Sequence, residues 1–169
     1  MICVTQIIIK LEYLIMKIQI DGDQTLALEV LAQIQRWDNA VVGVEIDDLV
    51  DQCAKDISMF DVSSQLNGVD EYRTEWEKFS PFFAKGMKIS RRNAKLYASE
   101  QLAVLHCHSK VESTALKDKI KMPWCRTTLC LQKTNDQWRV VHQHISMPID
   151  METGQAVFLK DEPKLRLVI

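Results

Sequence analysis

The chain has little that would tie it to a membrane, a nucleic acid or an oxidising compartment. No uninterrupted apolar run approaches the roughly 18 residues that a membrane span needs. The Ile- and Leu-rich stretch 1–20 is broken by Lys10, Glu12 and Lys17, and no small-residue cleavage site follows it. Neither sign of charge dominates: 21 Lys and Arg against 23 Asp and Glu leave a net charge of -2. General attraction to a phosphate backbone or an anionic lipid surface is therefore not expected. The basic clusters Arg91-Arg92 and Lys117/Lys119/Lys121 are too sparse for a nucleic-acid footprint and read as solvated loop charge. The five cysteines, Cys3, Cys53, Cys107, Cys125 and Cys130, are odd in number and form no CxxC pair. A reduced, cytoplasmic protein is the simpler reading than a disulfide framework. With only five glycines and four prolines, the chain shows no repeat, low-complexity tract or linker.

What is present describes one globular domain. Apolar residues make up 47% of the 169 and charged residues 26%, which is too apolar for a disordered chain. Residues 1–22 read as an N-terminal extension, in which Met16 before Lys17 is a candidate start. Residues 23–154 form the domain, and 155–169 read as a C-terminal tail.

Leu26, Leu28, Val30, Leu31, Ile34 and Trp37 recur at threes and fours after Asp23, so an amphipathic helix over 23–39 is predicted with Asp23 as its N-cap. A short helix over 45–54, a short strand over 57–62 and a third helix over 69–83 follow. After Gly86 the period changes to two. Strands are predicted over 87–97, 101–113, 122–134 and 137–147, a four-stranded antiparallel meander. Helices covering one side of such a sheet leave a covered face and a wet face, and strong curvature makes the covered face a pocket.

Three constellations stand out. All four histidines fall in HxH pairs, His106/His108 and His142/His144, and residues two apart on a strand share a face. Such pairs can hold a metal, yet one strand between them sets the pairs roughly 10 Å apart, and no third ligand stands beside either. They read instead as polar pocket or hydrogen-bonded positions. Arg126 and Thr128, at matching parity on the intervening strand, join His106, His144 and Ser146 on one face. That face is either the polar wall of a ligand pocket or the solvent side of the sheet. Asp61 follows the apolar Met59 and Phe60; a carboxylate at the mouth of an apolar cavity can act as a general base, and it can equally cap the following turn.

The order of segments is itself informative: a helix bearing Trp37, then AKDISMFD (54–61), LNGVDEYRTEW (66–76), PWCRTT (123–128) and DQWRVVHQHISMP (136–148). In that order they resemble the SnoaL-like, ketosteroid-isomerase-like proteins of the nuclear transport factor 2-like superfamily, and within it small bacterial members ending W-R-x-V-H-x-H-x-S-x-P. The resemblance implies an α+β cone-shaped barrel, a cystatin-like roll in which three N-terminal helices pack on a strongly curved antiparallel sheet, often as a homodimer. It also implies that Asp61 stands where ketosteroid isomerases carry the aspartate that moves a proton. Trp37 falls where they carry a tyrosine donor.

The resulting expectation is a protein that binds a small apolar or aromatic organic ligand and acts, if it acts, as an isomerase, cyclase or dehydratase without cofactor or metal. Asp61, His144 and Arg126 are its catalytic candidates. Trp37, Trp76, His106, Thr128 and Ser146 are its ligand-binding candidates. The alternative is a non-catalytic binding or dimerisation module in which Asp61, Arg126 and His144 form a structural network. Neither nucleic acid nor membrane is an expected partner.

Overall fold

The computed structural model describes residues 18–83, 86–114 and 123–159. Cys3, Met16, the Lys117/Lys119/Lys121 cluster and the end of the tail lie outside them. Helix α1 (Gln24–Gly43) starts where expected: the Asp23 carboxylate accepts the Leu26 N–H at 2.9 Å. It continues past Asn39 because Ala40 and Val41 extend the buried stripe of Ala27, Val30, Leu31, Ile34 and Trp37, whereas Leu28 is exposed. Helix α2 (Ile46–Asp51) is shorter than predicted, since Cys53 leaves the helix to pair with the sheet. Helix α3 (Val69–Phe83) has the predicted bounds.

The sheet has seven strands. Four long ones form the antiparallel meander: β4 (Met87–Ala98), β5 (Leu102–Ser113), β6 (Cys125–Thr134) and β7 (Gln137–Ser146). Strand β1 (Ile18–Gly22) adds to one edge, parallel to β4, although residues 18–22 carry no distinct period in the sequence. At the other edge β2 (Cys53–Phe60) runs parallel to β7, and β3 (Gln65–Asn67) pairs antiparallel with β2. The order β1-β4-β5-β6-β7-β2-β3 is therefore a mixed sheet with an antiparallel centre. The three helices cover one face, and the core between them holds the fully buried Leu31, Ile34, Leu49, Leu96, Leu105 and Leu129. The result is an α+β cone.

Within the meander two β-bulges break the simple alternation. In β4, Asn93 and Ala94 together face one residue of β5, because Arg92 pairs with His108 and Lys95 with His106. Asn93 takes φ +52°, a left-handed conformation that Asn tolerates better than most residues. Before the bulge Met87, Ile89 and Arg91 face the helices; after it Ala94, Leu96 and Ala98 do. In β7 the extra residue is Val141, between Val140 paired with Leu131 and His142 paired with Cys130. Each bulge exchanges the faces of everything beyond it and bends the strand.

A β-branched side chain at the left-handed position opposes the first bulge. Asn93→Val is expected to lower the unfolding free energy by about 1–2 kcal/mol, read as a lower urea midpoint at unchanged m-value. An unchanged midpoint would show that the bulge does not depend on Asn93.

Candidate ligand pocket

Between α1, α3 and the inner face of the sheet lies a cavity of about 260 Å³. Its walls are mainly apolar: Val41, Leu66, Phe79, Ile89, Val111 and Ile145. Its polar groups come from several elements: Asp61 after β2, Tyr72 and Glu75 on α3, Arg91 on β4, Ser109 on β5, Thr127 on β6 and Gln143 on β7. A wider groove of about 860 Å³ runs beside α1 and the β6–β7 turn, but it is open and polar. Two of its charges pair with one another: Lys133 donates to Glu29 at 2.9 Å, and the Trp138 indole donates to the same carboxylate at 3.1 Å. The smaller cavity has the composition of a small-molecule site, an apolar body with convergent polar groups.

Asp61 closes a turn and also stands at the cavity mouth. Its N–H donates to the Ser64 carbonyl at 2.8 Å, and its Oδ1 accepts the Val62 N–H at 2.7 Å, so it closes the turn after β2. It also lines the cavity mouth, exposed, with no bond to Oδ2 among the described residues. Tyr72 stands in the wall, 5% exposed. Burial pushes its phenol well above the ordinary value, the charges of Cys53 and Asp61 add to this, and the Trp76 and Trp37 indoles oppose it. The hydroxyl therefore stays protonated and able to donate. Trp76 packs edge-on against the Tyr72 ring at 6.3 Å, and Trp37 is buried with an indole N–H that meets no acceptor. Both tryptophans line the cavity.

Arg91 corrects the reading of Arg91-Arg92 as loop charge. It is in phase with Met87 and Ile89, faces the helices, and holds Asp38 of α1 through both guanidinium nitrogens, Nη2 to Oδ1 at 2.7 Å and Nη1 to Oδ2. Burial works against its charge, but Asp38 outweighs burial and the guanidinium pKa is raised. Beside it Ser109 and Thr127 share a hydroxyl hydrogen bond of 2.6 Å. Cys125, close to the mouth, has its thiol pKa raised by burial and by the charge of Asp61.

The other expected wall lies elsewhere. Thr127, Leu129 and Leu131 of β6 face the helices, so Arg126 and Thr128 face away. Register places His106 and His144 beside Thr128, and His108 and Ser146 beside Arg126, all on the outer face. No bond or ion pair joins Asp61 to Arg126 or His144, so the proposed Asp-Arg-His network does not exist. Val140 is buried inside, and the Val141 bulge turns His142 and His144 outward. On that outer face His142 Nδ1 and Ser58 Oγ are hydrogen-bonded at 2.8 Å, and Phe60 packs edge-on against both His142 and His144. Among the described residues no three His, Cys, Asp or Glu side chains converge on a metal-sized point. Tyr72 and Arg91 were the residues sequence reasoning passed over. The i to i+4 spacing of Tyr72 with Trp76, and of Arg91 with Met87 on a strand, was the available signal.

The model of the SnoaL-like domain matches residues 30–150, and the chain belongs to that family. A nuclear transport factor 2-like protein of unknown function from Pseudomonas putida KT2440 is 29% identical, with TM-score 0.73 over 82% of this chain and 99% of its own. A Shewanella frigidimarina protein provisionally named a ketosteroid isomerase superposes with TM-score 0.60 at 16% identity, covering 76% of this chain and 99% of its own. A nuclear transport factor 2-like protein of cystatin-like fold from Novosphingobium aromaticivorans gives TM-score 0.62 at 15% identity, over 86% and 90%. None of the curated proteins matches the chain. No described helix is long and apolar enough to cross a membrane.

Removing one partner of a buried ion pair leaves the other charge uncompensated. Asp38→Asn is expected to destabilise the fold by about 3–5 kcal/mol, measured by urea unfolding. A loss below about 1 kcal/mol, the range of exposed pairs, would show that Arg91 is solvated rather than held in the wall.

Proposed function

We propose that this chain binds a small, mainly apolar, uncharged carbonyl compound in the cone and moves a proton on it, as a cofactor-independent isomerase, cyclase or dehydratase. The observation that carries the reading is the pairing of one free carboxylate oxygen at the cavity mouth with one protonated phenol in its wall. Asp61 Oδ2 takes a proton from the carbon next to the carbonyl. The Tyr72 hydroxyl donates to the oxygen on which negative charge develops, and the proton then returns from Asp61 to a different carbon or to the same one. Trp37 and Trp76 hold the apolar body. Arg126, His106, His144, Thr128 and Ser146 have no part in this chemistry, because they face away from the cavity.

Membership of a family with provisionally named isomerases supports the reaction class, and fold alone does not choose within it. Binding without turnover is the second reading, favoured by the local bond that Asp61 already makes to Val62 N–H. We place the protein in the cytoplasm as a homodimer. Four described cysteines are free thiols, and the exposed Phe60 and Tyr97 offer apolar contact area on the outer face; sedimentation equilibrium reads the dimer directly as twice 19.5 kDa.

The test is exchange of the enolisable protons of 2-tetralone in heavy water, followed by NMR. The protein is expected to speed exchange above the buffer rate. Asp61→Asn is expected to lower that rate by roughly 100-fold or more while 2-tetralone binds as before. Binding with no acceleration by the wild type supports the binding-only reading, and equal acceleration by Asp61→Asn removes the carboxylate from the mechanism.

A further inference from the structure

The cavity wall built by β4, β5 and β6 carries hydrogen-bond donors that the described residues do not satisfy. Register pairs Arg91 of β4 with Ser109 of β5 and Ser109 with Cys125 of β6, and Thr127 follows two residues along β6 on the same inner face. Ser109 and Thr127 are buried, 8% and 4% exposed. Their hydroxyls share one hydrogen bond of 2.6 Å, and neither makes another with a described residue. Each hydroxyl carries one hydrogen, so the pair has two and the bond between them takes one. The second hydrogen has no acceptor among the described residues, and both side chains line the cavity. A buried donor left without an acceptor is costly, so the acceptor is to be sought in whatever fills the cavity.

The guanidinium in the same row adds a second such donor. Arg91 engages Asp38 through Nη1 and Nη2, whereas its Nε is buried and meets no hydrogen-bond acceptor. The Cys107 thiol lies beside the guanidinium, and sulfur is only a weak acceptor. Side chains paired across adjacent strands have Cβ atoms roughly 5 Å apart, so one ligand atom can accept from both Arg91 and the hydroxyl pair. The charge of Arg91 is already offset by Asp38, and the arrangement therefore suits an uncharged oxygen rather than an oxyanion. The other polar groups of the lining come from different elements: Asp61 follows β2, Gln143 is on β7, and Tyr72 and Glu75 are on α3. In sheet order β6 and β7 separate β5 from β2, which sets the Arg91–Ser109 end of the wall apart from Asp61.

We propose that the Arg91 Nε–H and the remaining hydroxyl hydrogen of the Ser109–Thr127 pair hold a second, uncharged carbonyl oxygen of the ligand. The substrate class is then a dicarbonyl compound: an apolar frame with one carbonyl placed between Asp61 and Tyr72 and another at the end that meets β4 and β5. This rests on the reading of the cavity as a site for a carbonyl compound and adds which of those compounds it selects. The second oxygen takes no part in the proton transfer, and Arg91, Ser109 and Thr127 act as specificity determinants. An analogue with an apolar group in place of that oxygen leaves two buried donors unpaired and is discriminated against for that reason.

The experiment is isothermal titration calorimetry of the full chain with 2-tetralone and with its 6- and 7-acetyl and 6- and 7-isopropyl derivatives. Acetyl and isopropyl groups are close in size and differ in the carbonyl oxygen. At least one acetyl ketone is expected to bind about fivefold or more tighter than its isopropyl counterpart. In the double variant Ser109→Ala/Thr127→Val that preference is expected to fall to about twofold or less, while 2-tetralone binds as it does to the wild type. Removing both partners of a hydrogen bond together leaves no new unpaired group, so the urea midpoint of the double variant is expected to stay near that of the wild type. Acetyl and isopropyl ketones of equal affinity for the wild type, or a preference undiminished in the double variant, overturn the subsite and leave the carbonyl reading standing. Binding of none of these ketones removes the carbonyl reading and the subsite with it.

Discussion

Two bulges, at Asn93 in β4 and Val141 in β7, decide which side chains meet the helices and which meet the solvent. Because side chains on a strand alternate strictly, one extra residue exchanges the two faces of everything that follows. Without the first bulge, Arg91 and Ala94 could not both face inward. Without the second, Val140 and Ile145 could not both do so. The bulges also bend the long strands, so that the inner face becomes concave and three helices close it into a cone. The cavity's composition follows from this placement: an apolar bowl, one buried and neutralised ion pair at Arg91 and Asp38, a hydroxyl pair, and a carboxylate and a phenol at the mouth and wall.

The same placement divides the molecule's polar chemistry between two faces. Inside, polar groups are sparse; the Trp37 indole N–H and Arg91 Nε have no partner, and Asp61, Glu75 and the Tyr72 hydroxyl line the same cavity. These are what a neutral oxygenated ligand would meet. The Asp38 charge offsets that of Arg91, and the other carboxylates of the lining, Asp61 and Glu75, make an acidic ligand a poor fit. Outside, basic residues and histidines lie in rows with no acid among them.

Much of the fold was legible in the sequence, because period and capping are local. The stripe from Val30 to Trp37, the Asp23 cap, and the change to period two after Gly86 gave the helices and the meander within a few residues. Strand β1 was not legible, since Ile18 to Gly22 has too few residues to show a period and its partner β4 lies some 75 positions away. The site was legible only in part. Asp61 stood out by its place after Met59 and Phe60 and again through the family resemblance, Trp37 through the resemblance, and both line the cavity with Trp76. Arg126, His106, His144, Thr128 and Ser146 lie on the solvent side, the second of the two placements open for that face, because alternation along β5 and β6 does not say which parity meets the helices and the bulge at Val141 in β7 is not written in any single residue type. Arg91 was set aside as surface charge, because its partner Asp38 lies on a helix 53 positions earlier.

The most direct test of this account is chemical-shift mapping of the isotope-labelled protein with 2-tetralone. Perturbations confined to Met59, Tyr72, Val111 and Ile145, with the outer-face signals of His106, Thr128 and His144 unmoved, are the result the account predicts. Shifts centred on His106, Thr128 and His144, with the inner-face signals unchanged, would place the ligand on the other side of the sheet and contradict it.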